Sequence, residues 1–338
     1  MMRDYIRKIQ QGSNLGPDEM TVVMEIIMAG RAALDDVRDF LLALNAKGPT
    51  VEEITACALI MRKFTVPVRT KHEVVLDTCG TGGDHKDTFN ISTVAAIVVA
   101  SCGVVAAKHG NRSVSSLCGS ADVLEALGVN VQMEERFLSE CLDQIGLAFL
   151  FAQRLHPAMK NVASARKELG VKTIFNILGP LTNPARATHQ VMGVYSRDLT
   201  APMARVFQNL GLKKALVAHG CDGMDEITTT GKTFVSEWNG REIISYDIDP
   251  RELGVAPAKM EDLIGGNIKT NAAIAIKVLE GEPGPRRDIV LVNAAYALYT
   301  AEAVENLTRG MRVAEQAIDS GRARAKLEEL KEFTDRAR

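Results

Sequence analysis

The 338-residue sequence has almost no net charge: 40 lysines and arginines and 42 aspartates and glutamates give −2. No general basic field therefore indicates a nucleic-acid partner, and any anion site must come from local Lys, Arg and backbone N–H groups. The six cysteines are scattered and include no CxxC pair, which fits neither a zinc site nor a disulfide framework. We predict free thiols in a reducing compartment.

Long apolar runs are also missing. Residues 1–14 contain no apolar core of signal-peptide length, and the apolar run 94–107 is interrupted by Gly103 and too short for a membrane span. We therefore expect no membrane association and a cytoplasmic enzyme or binding protein. Hydrophobic residues at 46% and charged residues at 24% are typical of a globular chain, whose length suggests about two domains.

The N-terminal 65 residues show only helical patterns. Pro17 lies just inside a predicted helix, before apolar residues at helical spacing. Thr50 and Glu53 predict a capping box at the start of another helix that should run to about Phe64. Two further helices are predicted at residues 4–11 and 33–44. This region is thus expected to be all-helical.

From residue 74 the pattern changes to short apolar strands that end in Gly-rich loops, mostly followed by helices. Such alternation predicts an α/β fold with a largely parallel central sheet. Asn239 and Gly240 lie between apolar pairs and predict an antiparallel hairpin within 232–248. The charged residues 322–338 predict a solvated surface helix. The predicted strands are residues 74–77, 104–107, 148–151, 190–194, 215–218 and 288–292.

The first predicted strand runs into a glycine-rich motif, GTGGD, at residues 80–84. Three glycines in four residues let the backbone approach a ligand closely and turn its N–H groups inward. The polar residues 88–93 then precede a helix whose N-terminus would direct free N–H groups to the same point. The alternative is a Gly-rich turn with an ordinary N-cap, and the motif is neither a Walker A loop nor a clean GxGxxG.

A basic motif, KHGNRSVSS at residues 108–116, follows the predicted strand 104–107. Its lysine, arginine, serines and glycine suit phosphate oxygens, and the carboxyl edge of an open parallel sheet is where ligands bind. Ser120 and Asp122, at the start of the next helix, could extend the donor set. A basic loop is usually only solvated, but sharing this edge with the glycine-rich motif predicts a phosphate site.

An acidic motif, HGCDGMDE at residues 219–226, follows another predicted strand. Taken alone, an acidic turn is the better interpretation of Asp225 and Glu226. Opposite a polyanion site, their oxygens instead favour Mg²⁺ held jointly with phosphates. Arg166 lies in a helix predicted at 161–169, and composition alone assigns it no role.

Taken in order, seven motifs resemble those of anthranilate phosphoribosyltransferases over nearly the whole chain. The resemblance implies a helical domain at 1–65 joined by part of 160–185, a hinge at 66–73, and an α/β domain at 74–338 similar to nucleoside phosphorylases and phosphoribosyltransferases. It further implies homodimers formed through the helical domain. The motifs are GTGGD (80–84), NIST (90–93), KHGNRSVSS (108–116), GSADVLEALG (119–128), HPAMK (156–160), FNILGPLTNP (175–184) and HGCDGMDE (219–226).

The same resemblance implies a reaction and roles for particular residues. The phosphoribosyl group of 5-phosphoribosyl 1-pyrophosphate would pass to the amine of anthranilate, in tryptophan biosynthesis. Anthranilate would contact Gly80, His109, Asn111, His156 and Arg166, the last pairing with its carboxylate. Two Mg²⁺ ions per chain would be held by Ser92, Asp225 and Glu226. The sugar pyrophosphate would contact Gly80, Gly83, Asp84, Thr88, Asn90, Ile91, Ser92, Thr93, Lys108, His109, Gly110, Asn111, Arg112, Ser113, Val114, Ser115, Ser116 and Ser120.

No catalytic base follows from the motifs, and His109 is a candidate by position only. Cys118 stands where serine is expected in many relatives, which puts none of the contacts in serious doubt. A pyrimidine nucleoside phosphorylase-like enzyme is the nearest rival, but it needs no acidic metal pair and no segment like 175–184. A nucleic-acid-linked transferase should have a basic surface. A regulatory sensor of the sugar pyrophosphate would leave Asn111 and Arg166 without a purpose.

Overall fold

The structure is a computed structural model that describes residues 1–113 and 117–336. Residues 114–116, which the resemblance assigns to the sugar pyrophosphate, lie outside the described residues. The predicted capping box is confirmed, because the backbone N–H of Thr50 donates to Glu53 Oε2 at 2.8 Å and that of Glu53 donates to Thr50 Oγ1 at 3.3 Å. The N-terminal helices are α1 (Met2–Gln10), α2 (Pro17–Met28), α3 (Leu34–Lys47) and α4 (Val51–Lys63).

The α/β part follows a connector that is tied to it by hydrogen bonds, such as Val68 N to Pro184 O at 3.1 Å. Its strands are β1 (Leu76–Gly80), β2 (Ala106–Gly110), β3 (Leu147–Phe151), β4 (His189–Gly193), β5 (Lys214–Gly220), β6 (Thr233–Trp238) and β7 (Ile243–Ile248). Its helices are α5 (Ile91–Ser101), α6 (Ser120–Ala126), α7 (Glu135–Ile145), α8 (Ala152–Leu155), α9 (Lys160–Leu169), α10 (Phe175–Leu178), α11 (Thr200–Asn209), α12 (Met260–Leu263), α13 (Ile268–Leu279), α14 (Pro285–Thr300), α15 (Leu307–Asp319) and α16 (Arg322–Arg336).

The seven strands form one sheet in the order β3-β2-β1-β4-β5-β6-β7. The pairings from β3 to β5 are parallel, and β6 and β7 add the antiparallel hairpin predicted around Asn239 and Gly240. The predicted α/β fold with a mostly parallel sheet is confirmed. Because parallel strands end at one edge, the loops after β1, β2, β4 and β5 meet there, where ligands bind in such sheets.

Two sequence predictions were wrong. Residues 288–292 form no strand and lie inside α14, which begins at Pro285 and is buried on nearly all sides. A short apolar run has no periodicity that separates a buried strand from a buried helix. The terminal helix α16 is not merely solvated, because it buries Leu327 and Leu330 against the core. The parallel strands also begin or end a few residues from their predicted bounds, so Lys108, which was assigned to a loop, lies in β2.

Two apolar cores lie on opposite faces of the sheet. Alternate residues of β4 divide between them, since Val191 packs with α5 and α14 while Met192 packs with α11 and the N-terminal helices. Val162 of α9 and Phe175 of α10 belong to this second core, which brings part of segment 160–185 against α1–α4. In the part of the chain that the structure describes, no helix is both long and apolar enough to cross a membrane.

Candidate active site at the carboxyl edge of the sheet

The glycine loop, residues 81–87, has an unusual backbone. Gly82 and Gly83 adopt φ of 68° and 73°, and His85 and Asp87 adopt φ of 57° and 52° despite their side chains. The left-handed region costs non-glycine residues energy, so the surrounding structure must hold these two in place. The backbone oxygen of Asp87 accepts the N–H of Gly265 at 2.9 Å. At the other end of the loop, the backbone N–H of Gly82 donates to Asp225 Oδ2 at 2.7 Å.

The acidic pair, Asp225 and Glu226, contacts both predicted phosphate-binding segments. Asp225 accepts the Gly82 hydrogen bond, and Glu226 Oε1 accepts the backbone N–H of Ser92, in the first turn of α5, at 3.1 Å. This approach requires glycine in β4, because a Cβ on Gly193 would lie 1.5 Å from the carbonyl oxygen of Asp225. The fold thus brings the acidic motif against two neighbouring motifs that lie 134 residues or more before it in the sequence.

The electrostatics of the acidic pair suit a cation. Surrounding protein removes most water from both carboxyl groups, and this raises the pKa of Asp225 well above its usual range, with Asp84 and Glu226 adding repulsion. The same desolvation raises the pKa of Glu226 to about 7, although the charge of Lys108 opposes it. Within residues 1–113 and 117–336 no three His, Cys, Asp or Glu side chains form a metal cluster. Mg²⁺ is nevertheless commonly held by one or two protein carboxylates together with phosphate oxygens of a ligand.

Lys108 points into the protein, and its side chain is only 5% exposed. Its ammonium group donates to the backbone oxygen of Thr78 and to Ser92 Oγ, the latter at 3.4 Å. The charge therefore lies between β1 and the start of α5, next to the segments predicted to bind phosphate. From there it can stabilise anions above it without the side chain projecting into solvent.

His109 and His156 form a buried histidine pair, with their Nε2 atoms 3.1 Å apart. Thr65 Oγ1, at the end of the helical region, lies 3.3 Å from the other ring nitrogen of His156. Burial lowers the pKa of His156 to about 4 and that of His109 well below its usual value, with His156 and Lys108 adding repulsion. Both rings are therefore neutral at physiological pH. Such a weakly basic ring suits the wall of an aromatic pocket better than proton abstraction.

Arg112 is already engaged by carboxylates. Its guanidinium donates to Asp122 Oδ1 at 2.7 Å and to both oxygens of Glu125 at 2.6 and 2.8 Å. Ser120, also a predicted phosphate contact, donates its hydroxyl to the backbone oxygen of Asn111 at 3.1 Å. Sequence reasoning missed Glu125 and the pairing of Asp122. The signal was present, since residues three apart on α6 project to one side of the helix.

Arg166 is half-buried in α9, with its guanidinium carbon 5.8 Å from the ring centre of Phe175. Burial lowers its pKa. Among the described residues it forms no salt bridge with a carboxylate, so its planar fork can still bind one. Sequence reasoning also missed Lys172, which donates to the backbone oxygen of Gly83 at 2.8 Å.

Most of the sequence-predicted residues lie at or beside this edge. Asn90 caps α5 and donates through its side chain to the backbone oxygen of Cys118 at 3.1 Å, which joins the start of α5 to the segment that follows the basic motif. Thr88 and Ile264 form an isolated antiparallel β-bridge, which fixes the chain just after the glycine loop. Asp84 Oδ2 lies 3.4 Å from the backbone nitrogen of Asp225.

The helical region and the mostly parallel sheet, with polar motifs at its carboxyl edge, are those of a glycosyl transferase. Residues 72–324 match the model of the glycosyl transferase family a/b domain, and residues 3–65 match that of the family's helical bundle domain. The anthranilate phosphoribosyltransferase of Acetivibrio thermocellus is 50% identical over 99% of this chain and 97% of its own length. The anthranilate phosphoribosyltransferase of Moorella thermoacetica is 50% identical over 98% of this chain and 97% of its own length. The chain belongs to the anthranilate phosphoribosyltransferase family.

Solved structures agree with this assignment. The anthranilate phosphoribosyltransferase of Thermus thermophilus superposes with a TM-score of 0.93 at 42% identity, covering 98% of this chain and 99% of its own. The enzyme of Saccharomyces cerevisiae in complex with PRPP and Mg superposes with a TM-score of 0.91 at 27% identity. The match covers 99% of this chain and 98% of the yeast chain. A further structure of the yeast enzyme contains 4-fluoroanthranilate.

Proposed function

We propose that this enzyme transfers the phosphoribosyl group of 5-phosphoribosyl 1-pyrophosphate to the amine of anthranilate. The products are N-(5-phosphoribosyl)anthranilate and pyrophosphate, formed in tryptophan biosynthesis. The observation that carries the proposal is the position of the acidic pair. Asp225 and Glu226 contact Gly82 and Ser92, so metal ligands and phosphate-binding backbone occupy one site, as a reaction with a pyrophosphate leaving group requires.

The sugar pyrophosphate would lie on the glycine loop, the N-terminus of α5 and the basic motif. The 11-residue helix α5 directs the partial positive charge of its N-terminus at this point, which stabilises phosphate. Lys108 would add its charge from below. The proposed contacts are Gly80, Gly83, Asp84, Thr88, Asn90, Ile91, Ser92, Thr93, Lys108, His109, Gly110, Asn111, Arg112, Ser113 and Ser120, together with Val114, Ser115 and Ser116 outside the described residues.

Mg²⁺ would be held by Ser92, Asp225 and Glu226, with two ions per chain. Bound Mg²⁺ would neutralise negative charge on the departing pyrophosphate. The related yeast enzyme has been solved with PRPP and Mg. The raised pKa values of the acidic pair support the assignment, because two repelling carboxyl groups gain more from a divalent cation than isolated ones do.

Anthranilate would lie against Gly80, Asn111 and the histidine pair, with Arg166 binding its carboxylate. An aromatic amine is a neutral nucleophile, so attack needs no strong base beforehand, and the neutral His109 would line the pocket. The contribution of these residues is to hold the amine next to the ribose carbon, and such positioning lowers the barrier substantially.

The test is a fluorescence assay of anthranilate consumption with and without the sugar pyrophosphate and Mg²⁺. Consumption should require all three components and release pyrophosphate. Release of a free base from a nucleoside and inorganic phosphate would instead indicate a pyrimidine nucleoside phosphorylase-like enzyme. No turnover with either substrate pair, despite tight binding of the sugar pyrophosphate, would point to a sensor.

Arg166→Ala tests the acceptor site separately. Losing a charge-assisted pair should weaken anthranilate binding about tenfold or more while the sugar pyrophosphate binds as before. Lys167→Ala, the exposed neighbour on the same helix, is the matched control and should change neither titration. Equal losses for both substrates would remove Arg166 from the acceptor site.

We also propose a cytoplasmic homodimer formed through the helical domain, residues 1–65, with a hinge at 66–73 that lets the α/β domain, residues 74–338, close over the substrates. Leu42 of α3 and Leu59 of α4 are each 46% exposed, and such apolar surface favours association. Leu42→Glu should shift the mass in analytical ultracentrifugation from dimer to monomer. A monomeric wild type would contradict this.

A further inference from the structure

The LTNP part of motif 175–184 reaches the active-site strands through Asn183. This asparagine is only 2% exposed. Its side-chain nitrogen donates to Asp77 Oδ2 and to the backbone oxygen of Ala107, both at 2.8 Å. Its side-chain oxygen accepts the backbone N–H of Ala185, also at 2.8 Å. The side chain is therefore fully engaged and fixed in orientation, and its nitrogen bridges β1 and β2.

Asp77, in β1, completes this bridge. Its Oδ2 accepts from Asn183, and its Oδ1 accepts the backbone N–H of His109 at 3.1 Å. Asp77 is only 1% exposed, and burial raises its pKa while Lys108 and these hydrogen bonds oppose the increase. A buried carboxyl group with this many partners is one whose position is closely specified.

These side chains lie where the sheet opens. The β1–β2 pairing has one registered pair, Leu76 with Ala106, whereas β1–β4 and β2–β3 have five each. Beyond that pair, side chains replace the ladder: Asn183 binds Ala107 O, Asp77 binds His109 N and Lys108 binds Thr78 O. Buried backbone groups must be paired, so without these side chains the two strands could not remain apart.

We infer that Asp77 and Asn183 are positioning residues that hold β1 and β2 apart and so set His109 and the residues after it against the substrates. The inference rests on the proposed function for the identity of those substrates. Neither side chain is expected to reach the substrates itself, since both are almost fully buried. Their effect on the reaction passes through the backbone of β2.

Asn183→Asp tests the bridge. It removes the donor to Ala107 and places a second carboxyl group against Asp77. We expect kcat to fall at least tenfold and KM to rise at least fivefold for both substrates, because His109 and the residues after it are proposed to contact both. Asp77→Asn should act in the same direction, because its new amide nitrogen would face another donor, either the side-chain nitrogen of Asn183 or the backbone N–H of His109. The exchanged pair Asp77→Asn/Asn183→Asp restores one donor–acceptor contact and should recover part of the kcat.

Thr182→Val is the matched control. Thr182 is fully buried next to Asn183, but its hydroxyl donates to the backbone oxygens of Leu178 and Gly179, so the variant disturbs the motif and leaves the bridge intact. It should keep kcat within twofold per folded molecule. If its kcat falls as far as that of Asn183→Asp, or if the exchanged pair shows no recovery, the inference is wrong.

Hydrogen exchange provides a readout that does not depend on the reaction. Amide exchange in the peptide covering residues 105–112 should be at least tenfold faster in Asn183→Asp and in Asp77→Asn than in the wild type and in Thr182→Val. Unchanged exchange would overturn the inference even if the transferase reaction is confirmed. Faster exchange in a protein that does not consume anthranilate would contradict the proposed function and leave the bridge established.

Discussion

The acidic pair and the Arg112 cluster, formed by Arg112, Asp122 and Glu125, each contain two carboxylates near the phosphate site. In the Arg112 cluster a guanidinium lies between the carboxylates, and its hydrogen bonds, with two backbone N–H groups, lower the pKa of Asp122 despite partial burial. In the acidic pair no guanidinium is present among the described contacts, and desolvation raises both pKa values.

The difference shows what makes a carboxylate pair available to a ligand. The charges of the Arg112 cluster are balanced within the protein, so its residues mainly fix the basic motif to α6. In the acidic pair, the charge of Lys108 partly offsets the raised pKa of Glu226. The repulsion between the two carboxylates would be relieved by a bound cation. Residue composition alone therefore does not show which carboxylate pair is open to a cation, and the nearest opposite charge distinguishes the two pairs.

Gly193→Ala should have the largest effect, because it breaks the placement of the acidic pair. The added Cβ would lie 1.5 Å from the carbonyl oxygen of Asp225, so the backbone must move. We expect urea unfolding to show a loss of about 3 kcal/mol or more. Gly16→Ala is the control, because Gly16 has an extended backbone and the nearest atom to its Cβ, Glu19 Oε2, lies at 3.6 Å. It should cost no more than about 1 kcal/mol. A loss below about 1 kcal/mol for Gly193→Ala would mean that the acidic pair is not held there.

Glu226→Gln should stabilise the metal-free enzyme above pH 7. The pKa of Glu226 is raised to about 7, so between its unfolded value and pH 7 the folded state binds more protons and stability falls as pH rises. Glutamine mimics the protonated form and removes this slope, a gain of about 2 kcal/mol after allowing for partial exposure. Urea titrations in chelator from pH 4.5 to 8 measure it. Parallel curves for variant and wild type would contradict the raised pKa.

Asp122→Asn should have the opposite sign at neutral pH. The pKa of Asp122 is lowered, so its contribution to stability is present above the unfolded value and lost as pH falls through the lowered one. We expect a loss of about 1 kcal/mol at pH 7, because the pair is partly solvated. The difference from wild type should shrink below pH 3.8, and a variant as stable as wild type at pH 7 would refute the expectation.

The smallest free-energy change should be the coupling between Arg112 and Glu125. A double-mutant cycle with alanine should give a coupling of about 0.5 kcal/mol at low salt, and less at about 1 M salt, because both side chains are 37% exposed. Coupling above about 2 kcal/mol would mean that the cluster is a rigid part of the site. In that case Arg112 could not also bind phosphate.

The sequence predicted best where the information is local. The capping box at Thr50 and the hairpin at Asn239 each depend on residues a few positions apart, and both were confirmed. The strand prediction for residues 288–292 failed because their apolar run has no periodicity, and only the packing around them decides that they are helical. The acidic pair was found from its motif, whereas Asp77 and Asn183 were missed because 106 residues separate two partners that otherwise look like ordinary strand and loop residues.

The sequence by itself determined the fold class, most of the order of helices and strands, and the family, because periodicity, turn residues and motifs are properties of neighbouring positions. Only the tertiary structure decided which charges meet. It placed Asp225 on the backbone of Gly82 across 143 residues, turned Lys108 inward, and engaged Arg112 with carboxylates. The physical reason is that pKa values, ion pairs and shared hydrogen bonds depend on distance and desolvation, which arise when remote segments pack together.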